Sequence, residues 1–334
     1  MKRIISLLVA FVIVFALAVC ASASPEKVVE LSVFSGGISK TTPTGIAVQA
    51  MIAEVEEKSG GSIKIKDFYD TELGDSKTMI QSLVQGTIDM GITGCSYYAG
   101  IVPQIQVFEL PFLFENIAQA RTAVDGPAKD IIFEKLAERG IIGLSFWENG
   151  MRNLTNNVRP IKTLADLQGI KIRTLPAKIQ IEAWKALGAL PTPIDAAELY
   201  TALHAGTVSA QENPYVVIRD QKFYEVQPYI TETGHVYTPF LFSMSKISAD
   251  KLTPEQLQIV KDAAVHAQKV QRDSNDTVVA QAKEFMRGQG VQIIEGIDLT
   301  EWRERAAPVY SIYTEQNGTE LLDIVRNSNK QAGL

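Results

Sequence analysis

The residues best suited to chemistry stand in one stretch, Gly169 to Tyr215. Its opening, G-I-K-I-R, alternates with a period of two, so Ile170 and Ile172 share one strand face and Lys171 and Arg173 the other. Arg173 sits at the C-terminal end of that strand, just before Leu175-Pro176, where cleft residues gather in open α/β sheets. A planar guanidinium grips a carboxylate through two parallel hydrogen bonds, which the point charge of Lys171 cannot reproduce. Asn213 lies in Q-E-N-P, after a second short strand and before a helix start. Its amide offers a donor to an anion and an acceptor to a hydroxyl. The same residues also fit plainer roles: a half-exposed strand with solvated cations, and an asparagine helix cap. The chemistry they would do together is capture of a small carboxylate.

Signatures of catalysis are missing. The sequence contains no G-x-S-x-G, H-E-x-x-H, C-x-x-C, Walker A or G-x-G-x-x-G pattern, and nothing calls for a cofactor. His204, His235 and His266 are too dispersed for a ligand set and read as surface or helix-face residues. Glu54 with Glu56 or Glu57 reads as a solvated helix face, and Cys95 as a small buried hydrophobe. An exported hydrolase using Asp75 or Glu212 would need a third orienting group, and none is visible.

The elements that must position these residues follow from periodicity and punctuation. Glu30 to Phe34 reads as a strand ended by Ser35-Gly36-Gly37, and Thr42-Pro43 carries cap and first-turn chemistry for a helix reaching Gly60-Gly61. Ser62 to Phe68 reads as a strand, Asp75 to Gly86 as a helix, and Asp89 to Thr93 as a strand. This order makes an α/β lobe with a mostly parallel sheet, whose strand ends bring Ser35, Asp75, Ser96 and Tyr97 near a cleft. Phe108 to Phe114 reads as an apolar packing loop, followed by a helix from Pro127 to Arg139 and a strand from Ile141 to Trp147. Glu148 to Arg152 reads as a crossing between lobes, and Val236 to Met244 as a returning strand. Thr253-Pro254-Glu255-Gln256 is a capping box, and no Gly or Pro interrupts Glu255 to Arg287. At 1.5 Å per residue that helix would reach about 45 Å, enough to lie across two lobes. Helical segments near Leu299 to Gln316 and Glu320 to Asn329 close the chain. The expected division is a lobe of 24–149 with about 238–275, and a lobe of 150–237 with about 276–334, the ligand cleft between them.

The N-terminus sets the compartment. Lys2-Arg3, an apolar run from Ile4 to Val19 and Ala21-Ser22-Ala23 read as a secretory signal peptide, residues 1–23. Leu17-Ala18-Val19-Cys20 is a poor lipoprotein match because Val is bulky where a small residue is expected. Cleavage would leave 30 basic against 38 acidic residues, a net charge of −8. That balance argues against nucleic acid and anionic lipid as partners. With Cys20 removed, Cys95 alone remains, so no intrachain disulfide is expected in an exported chain. The mature chain is expected in the periplasm as a monomer, without membrane insertion.

G-I-K-I-R, K-A-L-G-A-L-P-T-P, E-L-Y-T-A-L-H-A-G-T-V and Q-E-N-P occur in this order, together with L-G-D at Leu73, Q-G-T-I-D-M at Gln85, E-L-P-F-L-F at Glu109 and K-F-Y-E-V at Lys222. On these motifs the chain resembles the solute-binding proteins of TRAP transporters, the DctP type, over essentially all of its mature length. The resemblance implies a two-lobed, type II-like periplasmic-binding-protein fold. It also implies closure on an organic acid (a sugar acid, hydroxy acid or dicarboxylate) and delivery to the ion-driven TRAP membrane subunits. The family's hallmark arginine matches Arg173, its Q-E-N asparagine matches Asn213, and a second frequent arginine matches Arg152. Asp75, Ser96, Tyr97 and Tyr237 fall where such proteins vary their selectivity contacts. Ser209-Ala210 departs from the Asp-Gly pair usual before Q-E-N, and Gly94 stands where sialic-acid binders carry an acid. A ligand-sensing protein for a membrane receptor would use the same binding chemistry.

Overall fold

The computed structural model describes residues 28–331, so the expected signal segment with Cys20 lies outside the described residues. The strands are β1 (Val29–Gly36), β2 (Ile63–Asp70), β3 (Met90–Gly94), β4 (Ile141–Asn156), β5 (Lys171–Thr174), β6 (Leu190–Pro193), β7 (Ala210–Asn213), β8 (Tyr229–Ser245) and β9 (Gln292–Ile294). The helices are α1 (Pro43–Lys58), α2 (Ser76–Gln85), α3 (Ile117–Asp125), α4 (Pro127–Ala137), α5 (Lys178–Ala186), α6 (Leu199–His204), α7 (Tyr215–Asp220), α8 (Lys246–Ala249), α9 (Pro254–Gly288), α10 (Thr300–Ala306), α11 (Pro308–Asn317) and α12 (Glu320–Gln331). No described helix is long and apolar enough to cross a membrane.

The strands form one mixed sheet in the order β2-β1-β3-β8-β4-β7-β5-β6, with β9 beside β8. Its two halves are the sheets of two α/β lobes, and β4 and β8 run antiparallel through both. Ile141 to Glu148 pairs with Pro239 to Ser245 in the first lobe, and Gly150 to Asn156 with Tyr229 to Thr238 in the second. The register slips between Glu148 and Gly150, where Gly150 has φ 126°. A bulge with a glycine in this conformation bends a strand without steric cost. The expected crossing at Glu148 to Arg152 is therefore a bend inside a continuous strand.

Helix α9 begins at the capping box, Thr253 accepting from Gln256 N while Gln256 accepts from Thr253 N. Its 35 residues correspond to about 52 Å of rise. Composition along the helix follows what it covers. Val260, Ala263, Ala264 and Ala267 join the first-lobe core with Val48, Met51, Trp147 and Phe242. Gln268, Gln271 and Asn275 are buried polar side chains at the strand bend. Ala282 and Met286 join the second-lobe core with Leu203, Tyr215 and Ile230.

The contacts of the C-terminal segment divide between the lobes. Trp302 and Ala306 of α10 pack with Leu154, Ile172 and Trp184 of the second lobe. Beyond the break at Pro308, Val309, Tyr313, Leu321 and Val325 pack with Ala120, Val124 and Ile132 of α3 and α4 in the first. Helix α3 has no counterpart in the reading from sequence. Asn116 caps it by accepting from Gln119 N at 3.0 Å.

Candidate functional site

A cavity of about 320 Å³ lies between the lobes where the strand ends of both converge. The second lobe contributes Arg152 from β4, Arg173 from β5, Asn213 from β7 and Ala196 from the loop after β6. The first lobe contributes Gly36 from β1, Asp70 from β2, Thr93 and Gly94 from β3, Tyr97, and Ser76 from the first turn of α2.

Arg173 is 1% exposed. Its Nε donates to Ile194 O at 2.8 Å, and its buried Nη2 has no hydrogen-bond partner. No carboxylate lies within ion-pair distance of it among the described residues. Burial pushes its pKa down, Tyr97 beside it opposes that shift, and Arg152 reinforces it. The side chain is a buried cation without a counter-ion, a costly state unless an anion joins it.

Arg152 is arranged differently. Its Nε donates to Glu212 Oε2 at 2.5 Å and its Nη2 to Glu212 Oε1 and Asn213 Oδ1, both at 2.9 Å. Burial pushes the Glu212 carboxyl up, but Arg152 and His235 outweigh it and hold it at about 2. His235 Nε2 lies 3.2 Å from Glu212 Oε2, its Nδ1 lies 2.7 Å from Thr233 Oγ1, and its ring meets Trp184 edge-on at 4.8 Å. Asn213 Nδ2 donates to Gln211 Oε1 at 2.6 Å, and Gln211 Nε2 to Thr155 Oγ1 at 2.8 Å. With Oδ1 taken by Arg152, Asn213 keeps one amide hydrogen for a ligand.

Tyr97 closes the site from the first lobe. Its hydroxyl accepts from Ala196 N at 3.3 Å, a contact across the cleft mouth. Thr93 and Ser76 form a hydroxyl pair at 2.8 Å beneath it.

Of the residues singled out from sequence, Arg173, Asn213, Arg152 and Tyr97 line this cavity; Asp75, Ser96 and Tyr237 do not. Asp75 caps α2 by accepting from Thr78 N at 2.7 Å, and its neighbour Ser76 takes the cavity position. Ser96 is buried behind the wall, donating to both oxygens of Glu109 at 2.6 and 2.5 Å. Tyr237 packs edge-on against Phe114 at 6.0 Å in the first-lobe core. Ser35 is buried with an unpartnered hydroxyl and is also absent from the lining. A strand alternates its faces, so nearness in sequence to a cleft end does not fix which side a residue meets. His235 corrects the surface reading, because it lies buried in β8 between Glu212 and Trp184. Cys95 is buried, and Phe108 and Phe114 belong to the core.

Sequence reasoning missed Asp70, Ser76 and Thr93 as lining residues and Glu109 as a buried acid. The strand-end rule applied to β2 would have found Asp70. The Arg152–Glu212 pair joins residues 60 positions apart, which no local pattern reveals.

The chain matches the family model described as bacterial extracellular solute-binding protein, family 7, over residues 34–317. It is 37% identical over 260 residues to the 2,3-diketo-L-gulonate-binding periplasmic protein YiaO of Escherichia coli, covering 78% of this chain and 79% of that one. The sugar acid binding protein DctPAm of Advenella mimigardefordensis, in complex with galactonate, superposes with a TM-score of 0.88 at 35% identity, covering 92% of this chain and 99% of that one. A TRAP periplasmic solute binding protein from a Polaromonas species, bound to D-erythronate, superposes at 0.86 with 33% identity, covering 89% and 98%.

Proposed function

Because the chain belongs to the bacterial extracellular solute-binding protein family 7, as a TRAP transporter solute-binding protein of the DctP type, we propose that it captures a sugar acid or related organic acid between its lobes and delivers it to an ion-driven TRAP membrane transporter. The observation that carries this reading is Arg173, a buried, cavity-lining guanidinium with an unpartnered donor nitrogen and no acidic partner. A ligand carboxylate supplies the missing charge and accepts from that nitrogen, while Asn213 offers its remaining amide hydrogen. Arg152, already matched by Glu212, contributes field and a rigid wall. The acids held by the related proteins, galactonate and D-erythronate, combine one carboxylate with several hydroxyls.

Binding proceeds by closure. With the lobes apart Arg173 meets water, and an acid docks on it. Approach of Tyr97 to Ala196 then excludes solvent and strengthens the ion pair as the local dielectric falls. The ligand shifts a population by binding the closed form better than the open one. The acids that a hydrolase would have used are committed elsewhere. Glu212 is held at about 2 and is a poor proton acceptor at neutral pH, and Asp75 is a helix cap. Neither acid is placed to act as a general base, in keeping with binding without turnover.

The test is a thermal-shift screen of the purified chain over aldonates, uronates, dicarboxylates and keto acids, followed by calorimetry. Acids that bind only the folded state should raise the melting temperature in proportion to affinity. An unshifted midpoint with every acid would overturn the reading.

A further inference from the structure

The charges around the cavity are unevenly paired. Of the two lining guanidiniums, Arg152 is matched by Glu212 and Arg173 is not. The cavity thus holds one cation awaiting an anion. The third charged lining residue is an acid, Asp70, at the C-terminal end of β2 in the opposite lobe. Its backbone stands at φ 50°, in the left-handed region. Backbone bonds hold it there: Asp70 N donates to Ile38 O at 3.1 Å, and Gly37 N to Asp70 O at 2.8 Å. Asp70 is exposed at the cleft edge; partial desolvation raises its pKa, Glu72 adding to the effect, and no described residue hydrogen-bonds its carboxylate. The Ser76–Thr93 pair lines the same cavity; it has two hydroxyl hydrogens and uses only one between the two oxygens. Asn149 lines the same cavity with a buried, unpartnered Oδ1.

A wall of this kind offers acceptors and hydroxyls. A polyol presents one O–H donor at each carbon and fits it. A second carboxylate brings only acceptors, and a negative charge against Asp70. We propose that Asp70, with the Ser76–Thr93 pair and Asn149 Oδ1, forms a polyol-reading subsite that orients a monocarboxylic sugar acid with its carboxylate on Arg173 and its hydroxylated tail on the first lobe, and that rejects dicarboxylates. Asp70 acts in both directions, accepting from tail hydroxyls and repelling a distal carboxylate. This inference rests on the carboxylate-capture reading and narrows its substrate class.

Asp70→Asn is the discriminating variant. Asparagine tolerates the left-handed backbone as well as aspartate does, so the fold is kept while the charge is removed. Calorimetry on the full mature chain would compare D-galactonate, D-galacturonate and D-erythronate with succinate and fumarate. In the unaltered protein the best sugar acid should bind at least tenfold tighter than either dicarboxylate. Asp70→Asn should lower that ratio at least tenfold, through weaker sugar-acid binding, stronger dicarboxylate binding, or both. An unchanged ratio, or a dicarboxylate bound as tightly as the best sugar acid by the unaltered protein, overturns the subsite while leaving carboxylate capture intact. Binding of none of the five acids overturns both.

Discussion

Two arginines of the same type do different work because of their partners. Arg173 is buried without an acid, so the proposed capture of a carboxylate rests on one guanidinium. Arg173→Ala should weaken binding by about 2–5 kcal/mol, the scale for truncating one partner of a desolvated pair. Arg173→Lys should lose less, because the charge remains while the two-pronged geometry is lost. Calorimetry with the best acid from the screen checks both, and wild-type affinity in Arg173→Lys would rule out two-pronged capture. Glu109 allows a test that needs no ligand. Burial pushes its carboxyl up from 4.5 to about 7, only partly offset by the Ser96 hydroxyl and the field of Arg152. The folded form thus binds the proton more tightly than the unfolded one. This contribution is fully present below pH 4.5 and is lost as pH rises through about 7. Glu109→Gln removes that loss, so its melting temperature should exceed the wild type's by roughly 2–5 °C at pH 8 and by less at pH 5. Calorimetric melting at the two pH values reads the difference. Glu212 runs the other way: held at about 2, it stabilises the fold above pH 4.5, and that stability is lost as pH falls toward 2.

At the scale of elements, the cleft depends on short loops held by close packing. Helix α1 begins where Thr42 accepts from Gly45 N at 3.0 Å. A Cβ at Gly45 would stand 2.4 Å from Ser39 O and 2.6 Å from Lys40 O. Backbone atoms cannot rotate aside as a side chain can, so Gly45→Ala must displace the loop that follows Gly36 and Gly37 at the cavity. A cost of about 1–3 kcal/mol is expected, the range for forcing an extra carbon into packed structure. Urea unfolding measures it, and the affinity for the best acid should fall as well. Helix α9 shows the complementary design. Its polar middle holds the strand bend, with Gln271 Nε2 donating to Glu148 O at 2.6 Å and Asn275 donating to the Glu148 carboxylate. Arg121 reaches the same carboxylate at 2.7 and 2.9 Å. The bend is therefore clamped from two helices.

For the molecule as a whole, one sheet runs through both lobes, so the closure proposed above would be a rotation about strands rather than the swing of a tether. The Tyr97–Ala196 contact joins the two lobes across the cleft. Tyr97→Phe removes the accepting oxygen and leaves the ring, so it should destabilise the closed state alone. The expected result is faster ligand release, by about three- to tenfold for the loss of one neutral hydrogen bond, with little change in association rate. Stopped-flow displacement measures both rates, and unchanged release would show that the contact does not secure closure. Small-angle scattering should show a smaller radius of gyration with the best acid than without it.

Much of this was legible in the chain because it is local. Strand and helix identities, the capping box of α9 and the placement of Arg173 at a strand end follow from periodicity and punctuation over a few residues, where backbone physics acts. The ordered motifs were specific enough to indicate the family. What lay beyond reach joins distant positions or depends on facing. Glu212 finds Arg152 and His235 across strands, Tyr237 turns from the cleft into the core, and α11 and α12 return to the first lobe. Burial then gives these pairings their consequences, since the same carboxyl is held at about 2 beside a guanidinium in Glu212 and pushed to about 7 beside a hydroxyl in Glu109. Local pattern is enough to put an arginine at a strand end where cleft residues gather. That Arg152 is paired while Arg173 stays without an acid depends on folding, because only the tertiary structure carries Glu212 across strands to a guanidinium 60 positions away in a shared low-dielectric space.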